Sequence, residues 1–463
     1  MQDKIEINPD KAFKRSVLVV TAFAAFLTPF LGSAVNLALP SIGKDLNASA
    51  IGLGWIISSF ILSSAVFLVP FGRLADIAGR KKIFTAGLAL FTVSTLLIAF
   101  AWNIVSMIAF RIIQGIAGAM IFGTSMAIIT SVFPAGERGR AMGINVTAVY
   151  LGLSTGPIIG GFLTESFGWR ILFAFLVPFG IAAIILITTQ IKKEWADSKG
   201  EKFDLTGSLL YGAGLFGVMY GFSRLPSAAG WIFLITGIAL GIFFVLFERK
   251  TDKPVFDVRL LFRNRIFAFS GIAALINYSS TSAVGFFISL YLQYLKGFDA
   301  REAGFIMISQ PIAMALLSPI AGRLSDKHDP GKIASIGMGF TAAGLVALCF
   351  LTPETPISTI VILLTVLGIG FGLFSSPNSN AIMSSVEKRY LGVASGVVGT
   401  MRMVGQMFSM GIAMMLISLF IGNQTINPST YPGFISGMKT GFVIFAALSF
   451  LGIFASLARN RRT

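Results

Sequence analysis

Two arginines stand inside apolar stretches where a charge is costly. Arg111, in RIIQG, lies about seven residues, roughly 10 Å of helix rise, from the nearer end of its stretch, and Arg402, in MRMVGQ, lies about 16 Å in. A guanidinium at that depth costs several kcal/mol unless it is paired or faces water, so each marks a functional site by default. Snorkelling to the surface is the competing reading, and it is harder for Arg402, near the midplane. Gln114, Asn36, Tyr150, Asn277, Tyr278, Gln310 and Gln406 add polar or aromatic groups at midspan. Each of these can touch a solute or hydrogen-bond a neighbouring helix.

Covalent chemistry has no comparable set of residues. A hydrolase or transferase needs a convergent nucleophile and base, or a metal cluster. The chain has one histidine, His328, and one cysteine, Cys349, so no metal site, cofactor or enzyme activity is expected. A GxxxxGK[ST] phosphate loop is absent as well, which excludes an ATP-hydrolysing module in this chain.

No carboxylate lies deep in an apolar stretch. Glu165, Asp299 and Glu302 sit at stretch ends. Two deep arginines without a deep counter-charge favour an anionic, zwitterionic or amphiphilic solute. If a proton is exchanged, Glu165 is the first candidate, because partial burial raises a carboxyl pKa. An interfacial acid answering Arg170 is the alternative reading of the same residue.

The elements that position these groups follow from bulk properties. With 463 residues, 55% of them hydrophobic and 12% charged, the chain has too little polar surface for a water-soluble globule. Its net charge of +16 does not signal nucleic-acid binding, because apolar stretches of membrane-crossing length recur throughout. A helix needs about 20 residues to cross a bilayer. On that ruler fourteen spans are expected, near 16–38, 51–71, 83–101, 104–126, 143–164, 170–190, 205–222, 231–247, 267–290, 303–321, 333–352, 357–375, 392–421 and 438–457. Most lysines and arginines fall in the two tails and in alternate loops on their side, which places both termini in the cytoplasm. The polar start MQDKIEINPDKAFKRS reads as a cytoplasmic tail without a cleavage site.

An internal repeat divides the chain. GRLADIAGRKK begins at Gly72, and GRLSDKHDPGK begins at Gly322, 250 positions on. The repeat predicts a 1–15 tail, a six-helix bundle at 16–190, a loop at 191–204 and an inserted helix pair at 205–247. A connector at 248–266, a second six-helix bundle at 267–457 and a 458–463 tail complete it. Parallel halves of this kind hold a solute near the midplane between them.

GRLADIAGRKK resembles the cytoplasmic signature of the major facilitator superfamily. The stretch from Gly143 to Gly161, GINVTAVYLGLSTGPIIGG, resembles the fifth-helix signature of its fourteen-helix drug:proton antiporters. The expected fold is therefore an all-α integral membrane protein, with two six-helix bundles and two inserted central helices. The resemblance implies export of small amphiphilic or drug-like compounds by alternating access, with proton antiport, from a monomer in the plasma (inner) membrane among its lipids. Export of a cell-made lipid or metabolite is the alternative on the same fold.

The resemblance assigns roles residue by residue. Gly72, Asp76, Gly79 and Arg80, with Asp326 in the repeat, form a cytoplasmic gate between the halves. Asp76 can cap the next helix, and Arg80 is expected to pair with Glu137. Lys81 and Lys82 read as topogenic charges. Arg111 and Gln114 match a helix-four signature tied to proton coupling and substrate response. Gly143, Gly152, Gly156, Pro157, Gly160 and Gly161 are the packing motif: Gly152, Gly156 and Gly160 line one helix face, and Pro157 predicts a kink. Two departures stand out, since Ile77 replaces a usual base and Leu31, in LGSAVNLALP, replaces the usual helix-one Asp.

Overall fold

A computed structural model describes residues 11–252, 254–256, 258–259, 264–386 and 391–459, without the side chains of 135, 136, 139 and 391–395. Most of the 1–15 tail, the last residues of the 458–463 tail, parts of the 248–266 connector and residues 387–390 lie outside the described residues. Among the described residues all regular structure is helical, and fourteen helices are long and apolar enough to cross a membrane.

In the first half, α1 spans Lys11–Asp45, α2 Ala50–Ala78, α3 Arg80–Ala99, α4 Ile104–Val132 and α5 Ala135–Phe167. The sixth span is split into α6, Trp169–Ala174, and α7, Val177–Gln190. Pro178 in the first turn of α7 lacks an N–H, which suits it to a helix start and explains the break before it. The inserted pair is α8, Leu205–Arg224, and α9, Ala228–Glu248.

The second half begins with α10, Arg265–Thr281, and α11, Val284–Leu290, which runs into a π-helical turn at Tyr291–Leu295. Where α10 breaks, the Ala283 N–H donates to Ser409 Oγ at 2.9 Å, so a side chain of α16 takes up one donor that the interruption frees. The tenth span is α12, Ala300–Met307, and α13, Ser309–Lys327. Pro311 cannot donate to the carbonyl of Met307 and crowds it, which accounts for the break at Ile308. Then follow α14, Pro330–Leu348, α15, Ile357–Ser384, α16, Leu391–Phe420, and α17, Tyr431–Ala458.

An even number of crossings puts residues 11 and 459 on one side, here called the terminal face. Among the described residues three hydrogen bonds join the halves directly. The Ala50 N–H donates to Gln424 O (2.8 Å), Ser289 Oγ donates to Asn36 O (2.6 Å), and Tyr150 Oη meets Ser318 Oγ (2.9 Å). They run from the opposite face only as far as the middle of the membrane; beyond it the halves meet through apolar packing, Leu68 with Met403.

The inserted pair closes a lateral seam. Tyr211 Oη on α8 donates to Ala65 O on α2 at 3.0 Å, and Tyr220 lies against Trp55. Further along α8, Phe222 packs edge-on against Phe408 of α16. One helix therefore touches both halves. It approaches α9 closely through glycines, since a Cβ on Gly217 would stand 2.8 Å from the Gly237 Cα.

Candidate functional site

The middle of the seam holds Arg402. Its guanidinium carbon lies 5.2 Å from the centroid of the Phe122 ring, so a cation from α16 rests on an aromatic face from α4. Its Nε is shielded from solvent and has no partner. The phenol of Tyr278 on α10 has the Arg402 guanidinium, the Tyr150 phenol and the Ser375 hydroxyl around it, and its ring meets Phe371 edge-on at 5.4 Å. Tyr150, from α5, bonds across the seam to Ser318 on α13. One arginine and a group of aromatic rings from both halves thus come together at the middle of the membrane.

Two asparagines add unpartnered polar groups inside the spans. Asn277 is fully buried beside Tyr278, and neither atom of its amide has a partner. Asn36 faces Gly285 of α11, gives a long 3.4 Å hydrogen bond to Gly32 O, and leaves its Oδ1 buried and unpaired. A buried polar group left without a hydrogen bond costs about 1–3 kcal/mol. Gln310 and Gln406 are half-buried on α13 and α16.

Arg111 and Gln114 do not share this place. Arg111 is 2% exposed; its Nε donates to Ile56 O (2.9 Å) and its Nη1 to Gln114 Oε1 (2.6 Å). Gln114 passes the chain of bonds to Thr95 Oγ1 (2.7 Å), and Phe60 lies under the guanidinium at 4.6 Å. The network joins α2, α3 and α4 inside the first half. The expectation that Arg111 touches cargo is corrected: the charge is accommodated by bonds within its own bundle, and it neither snorkels nor faces the seam.

The glycine motif divides its work between two neighbours. A Cβ on Gly152 would stand 2.5 Å from Phe26 O and one on Gly160 2.5 Å from the Ala34 Cβ, while one on Gly156 would overlap Ser33 Oγ. This stripe packs on α1 of the same half. On the adjacent face, Gly161 meets the Ala300 carbonyl and Pro157 O meets Gly304, both on α12 of the other half. Gly143 has open space around it and takes no part in packing. The helix runs through Pro157 as one element.

At the terminal face the expected Arg80–Glu137 pair is replaced. Arg80 Nε donates to Asp76 Oδ1 (2.9 Å), its Nη1 to Ser131 Oγ (2.6 Å), and its Nη2 pairs with Asp197 (2.9 Å). Glu137 instead pairs with Lys14 at 2.9 Å. Asp76, engaged by Arg80, does not cap α3. That cap comes from Glu194 in the 191–204 segment, whose carboxylate accepts from the Lys81 N–H (2.8 Å) and the Lys82 N–H (3.1 Å). The cause lies in the repeat. Gly79 occupies the N-cap with φ 121° and has no side chain to offer, whereas its counterpart Asp329 caps α14 itself by accepting from the Gly331 N–H at 2.7 Å. Backbone bonds from Arg80 N to Trp195 O (2.8 Å) and from Ser198 N to Asp76 O (3.0 Å) complete the clasp. Gly72 has open space beside it, and Asp326 accepts from Asn380 at 3.3 Å. These bonds of Asp76, Arg80 and Asp326 each stay within one half and the segment that follows it.

Glu165 is exposed at the opposite face and does not answer Arg170, which binds Asp45. It borders a cavity of about 540 Å³ between the halves, with Lys44 on its own side and Tyr294, Asp299 and Thr425 from the other. The partial burial expected of it is not met.

Sequence reasoning passed over Phe122 and Phe371, because a phenylalanine in an apolar span carries no signal of its own. It also passed over Arg459, placed in the tail. Arg459 is 3% exposed and bonds Ser270 Oγ (2.9 Å) and Asn378 Oδ1 (3.1 Å), tying α10, α15 and α17 together at the terminal face.

The chain matches the Major Facilitator Superfamily over residues 21–271, a stretch that includes the inserted pair, and again over 270–463. It is 29% identical to the riboflavin transporter RibZ of Clostridioides difficile (strain 630), over 96% of this chain and 98% of that protein. It is 27% identical to the multidrug resistance protein Stp of Mycobacterium tuberculosis, over 89% of this chain and 77% of Stp. Among solved structures, a bacterial homologue of the human lysosomal transporter Spinster superposes with a TM-score of 0.70 at 17% identity, covering 97% of this chain and 98% of that one, a likeness of fold. Two six-helix halves about a polar midplane seam, each half matched in sequence by the same family, make this membrane-embedded chain a transporter rather than an enzyme, and a member of the Major Facilitator Superfamily.

Proposed function

We propose that this protein is a secondary exporter of the fourteen-helix drug:proton antiporter type, moving small amphiphilic compounds with an anionic or planar aromatic part. The observation that carries the reading is Arg402 at the seam, its Nε without a hydrogen bond and Phe122, Tyr150 and Tyr278 about it. A guanidinium attracts an anionic or electron-rich group, and flat rings stack on an aromatic solute. The names of two relatives agree with such cargo, one a riboflavin transporter and one a multidrug resistance protein. The terminal face is read as cytoplasmic, from the lysine and arginine bias, and the membrane as the plasma membrane. The hydrogen bonds between the halves lie from the opposite face to the middle of the membrane, and entry to the seam is read as cytoplasmic.

Proton antiport is the second part of the proposal. No Asp or Glu stands in the middle of any span, so the exchangeable carboxylates are those of the outer cavity, Glu165 first. The test is efflux from proteoliposomes under an imposed pH gradient, with riboflavin and a panel of anionic and quaternary ammonium amphiphiles as probes. Gradient-driven efflux of anionic or flat aromatic probes, lost in Arg402→Ala, is expected. A strong preference for quaternary ammonium compounds would overturn the cargo assignment. An unchanged pH profile in Glu165→Gln would remove it as the proton carrier.

A further inference from the structure

A basic groove opens between α3 and α7 at the terminal face. The cavity measures about 590 Å³, with Lys81, Lys82 and Lys192 at its polar end and Ala86 and Ala89 along its wall. Two lysines come from the first turn of α3 and the third from just beyond the end of α7, so the charges converge from segments over 100 positions apart. Among the described residues no carboxylate comes within ion-pair distance of these three ammonium groups. Glu194 is in the groove, but its oxygens are engaged by the backbone N–H groups of Lys81 and Lys82. Thr85, also lining the groove, has a hydroxyl shielded from solvent without a partner.

We propose that this groove binds the headgroup of an anionic phospholipid. The three lysines hold the phosphate, and an acyl chain runs along Ala86 and Ala89 into the membrane. The charge selects an anionic over a zwitterionic headgroup, because three ammonium groups outnumber the one carboxylate in the groove, and that carboxylate is turned to the backbone of α3. The wall selects a lipid over free phosphate: α3 continues from these alanines as a membrane span, and small side chains leave a channel beside it. A bound headgroup also touches the Glu194 clasp, so the lipid completes the junction between α3 and the 191–204 segment. The proposal holds whatever the cargo is.

The experiment reads lipid retained by the purified full-length protein. Protein is equilibrated with mixed micelles holding equal phosphatidylglycerol and phosphatidylcholine, and bound lipid is counted by native mass spectrometry. The wild type is expected to retain phosphatidylglycerol preferentially. Lys81→Gln, Lys82→Gln and Lys192→Gln are each expected to weaken retention about fivefold. Arg at the three positions should preserve it, and Gln at Lys250, Lys327 and Lys332 on the same face should leave it unchanged. Lys192→Gln lies outside both helices and keeps the test open if the α3 variants fold poorly. Equal retention of the two lipids by the wild type, equal loss in the control variant, or displacement by inorganic phosphate at the same concentration would each overturn the proposal.

Discussion

The guanidinium of Arg402 lies 5.2 Å from the centroid of the Phe122 ring, joining the second half of the transporter to the first at the middle of the membrane. A cation held on a ring is worth about 0.5–2 kcal/mol. A solute that takes over this cation gives up that contact, which keeps binding reversible. Arg402→Ala is expected to reduce probe affinity at least about tenfold, and Phe122→Leu about threefold in either direction. Tryptophan-quenching or radioligand binding to purified protein measures both. Wild-type affinity in Arg402→Ala, for every probe that the wild type binds, is the contrary result.

Arg111 behaves differently, because its bonds are made within one bundle. Removing it strands Gln114 and the Ile56 carbonyl in the core. Arg111→Ala is expected to destabilise the protein by about 1–3 kcal/mol. Thermal unfolding in detergent should register the loss, with residual folded protein keeping near-normal probe affinity. A normal melting temperature with lost binding would reverse the roles of the two arginines.

The glycines of α5 provide an internal control. Gly156→Ala has no room against Ser33, and Gly161→Ala meets the Ala300 backbone, whereas Gly143→Ala meets nothing within 4 Å. The first should loosen α1 from α5 and lower stability, and the second should impair transport by wedging the halves apart. Gly143→Ala should match wild type, or exceed it slightly through helix propensity. Expression, melting temperature and efflux rate for the three variants separate packing within a half from packing between halves.

Glu194 acts as a cap delivered from a distant segment. Glu194→Ala is expected to cost about 1 kcal/mol and to expose 191–204 to limited proteolysis. Gly79→Ala should cost more, because φ 121° disfavours any side chain and its Cβ would press on the Glu194 carboxylate at 2.6 Å. Unchanged protease resistance in both variants would deny the segment its clasp.

Much of the architecture was legible in the chain. Fourteen apolar stretches, a repeat from Gly72 to Gly322 and an unmatched pair between the halves follow from hydropathy and self-similarity, which the bilayer enforces on any spanning helix. The small face of Gly152, Gly156 and Gly160 was legible for the same kind of reason, since a period of four places residues on one side of a helix. Which helix that face meets was not. Helical spacing says nothing about neighbours, and only the fold assigns the stripe to α1 and the adjoining Pro157 and Gly161 to α12.

The same division governs the charges. Sequence alone determined that Arg111 and Arg402 lie deep, and depth is what makes an arginine costly. How the cost is met depends on side chains far away along the chain, Ile56 O and Thr95 for one network, Phe122 and Tyr278 for the other. Likewise Asp76, Arg80 and Glu137 could be placed near one face, but pairing within a few ångströms is decided by loop geometry, which gave Arg80 to Asp197 and Glu137 to Lys14. Periodicity and composition report where a residue stands along its own helix. Only tertiary packing decides which residues of other helices it touches, and that is what separates an arginine bonded within one bundle from one set between the halves.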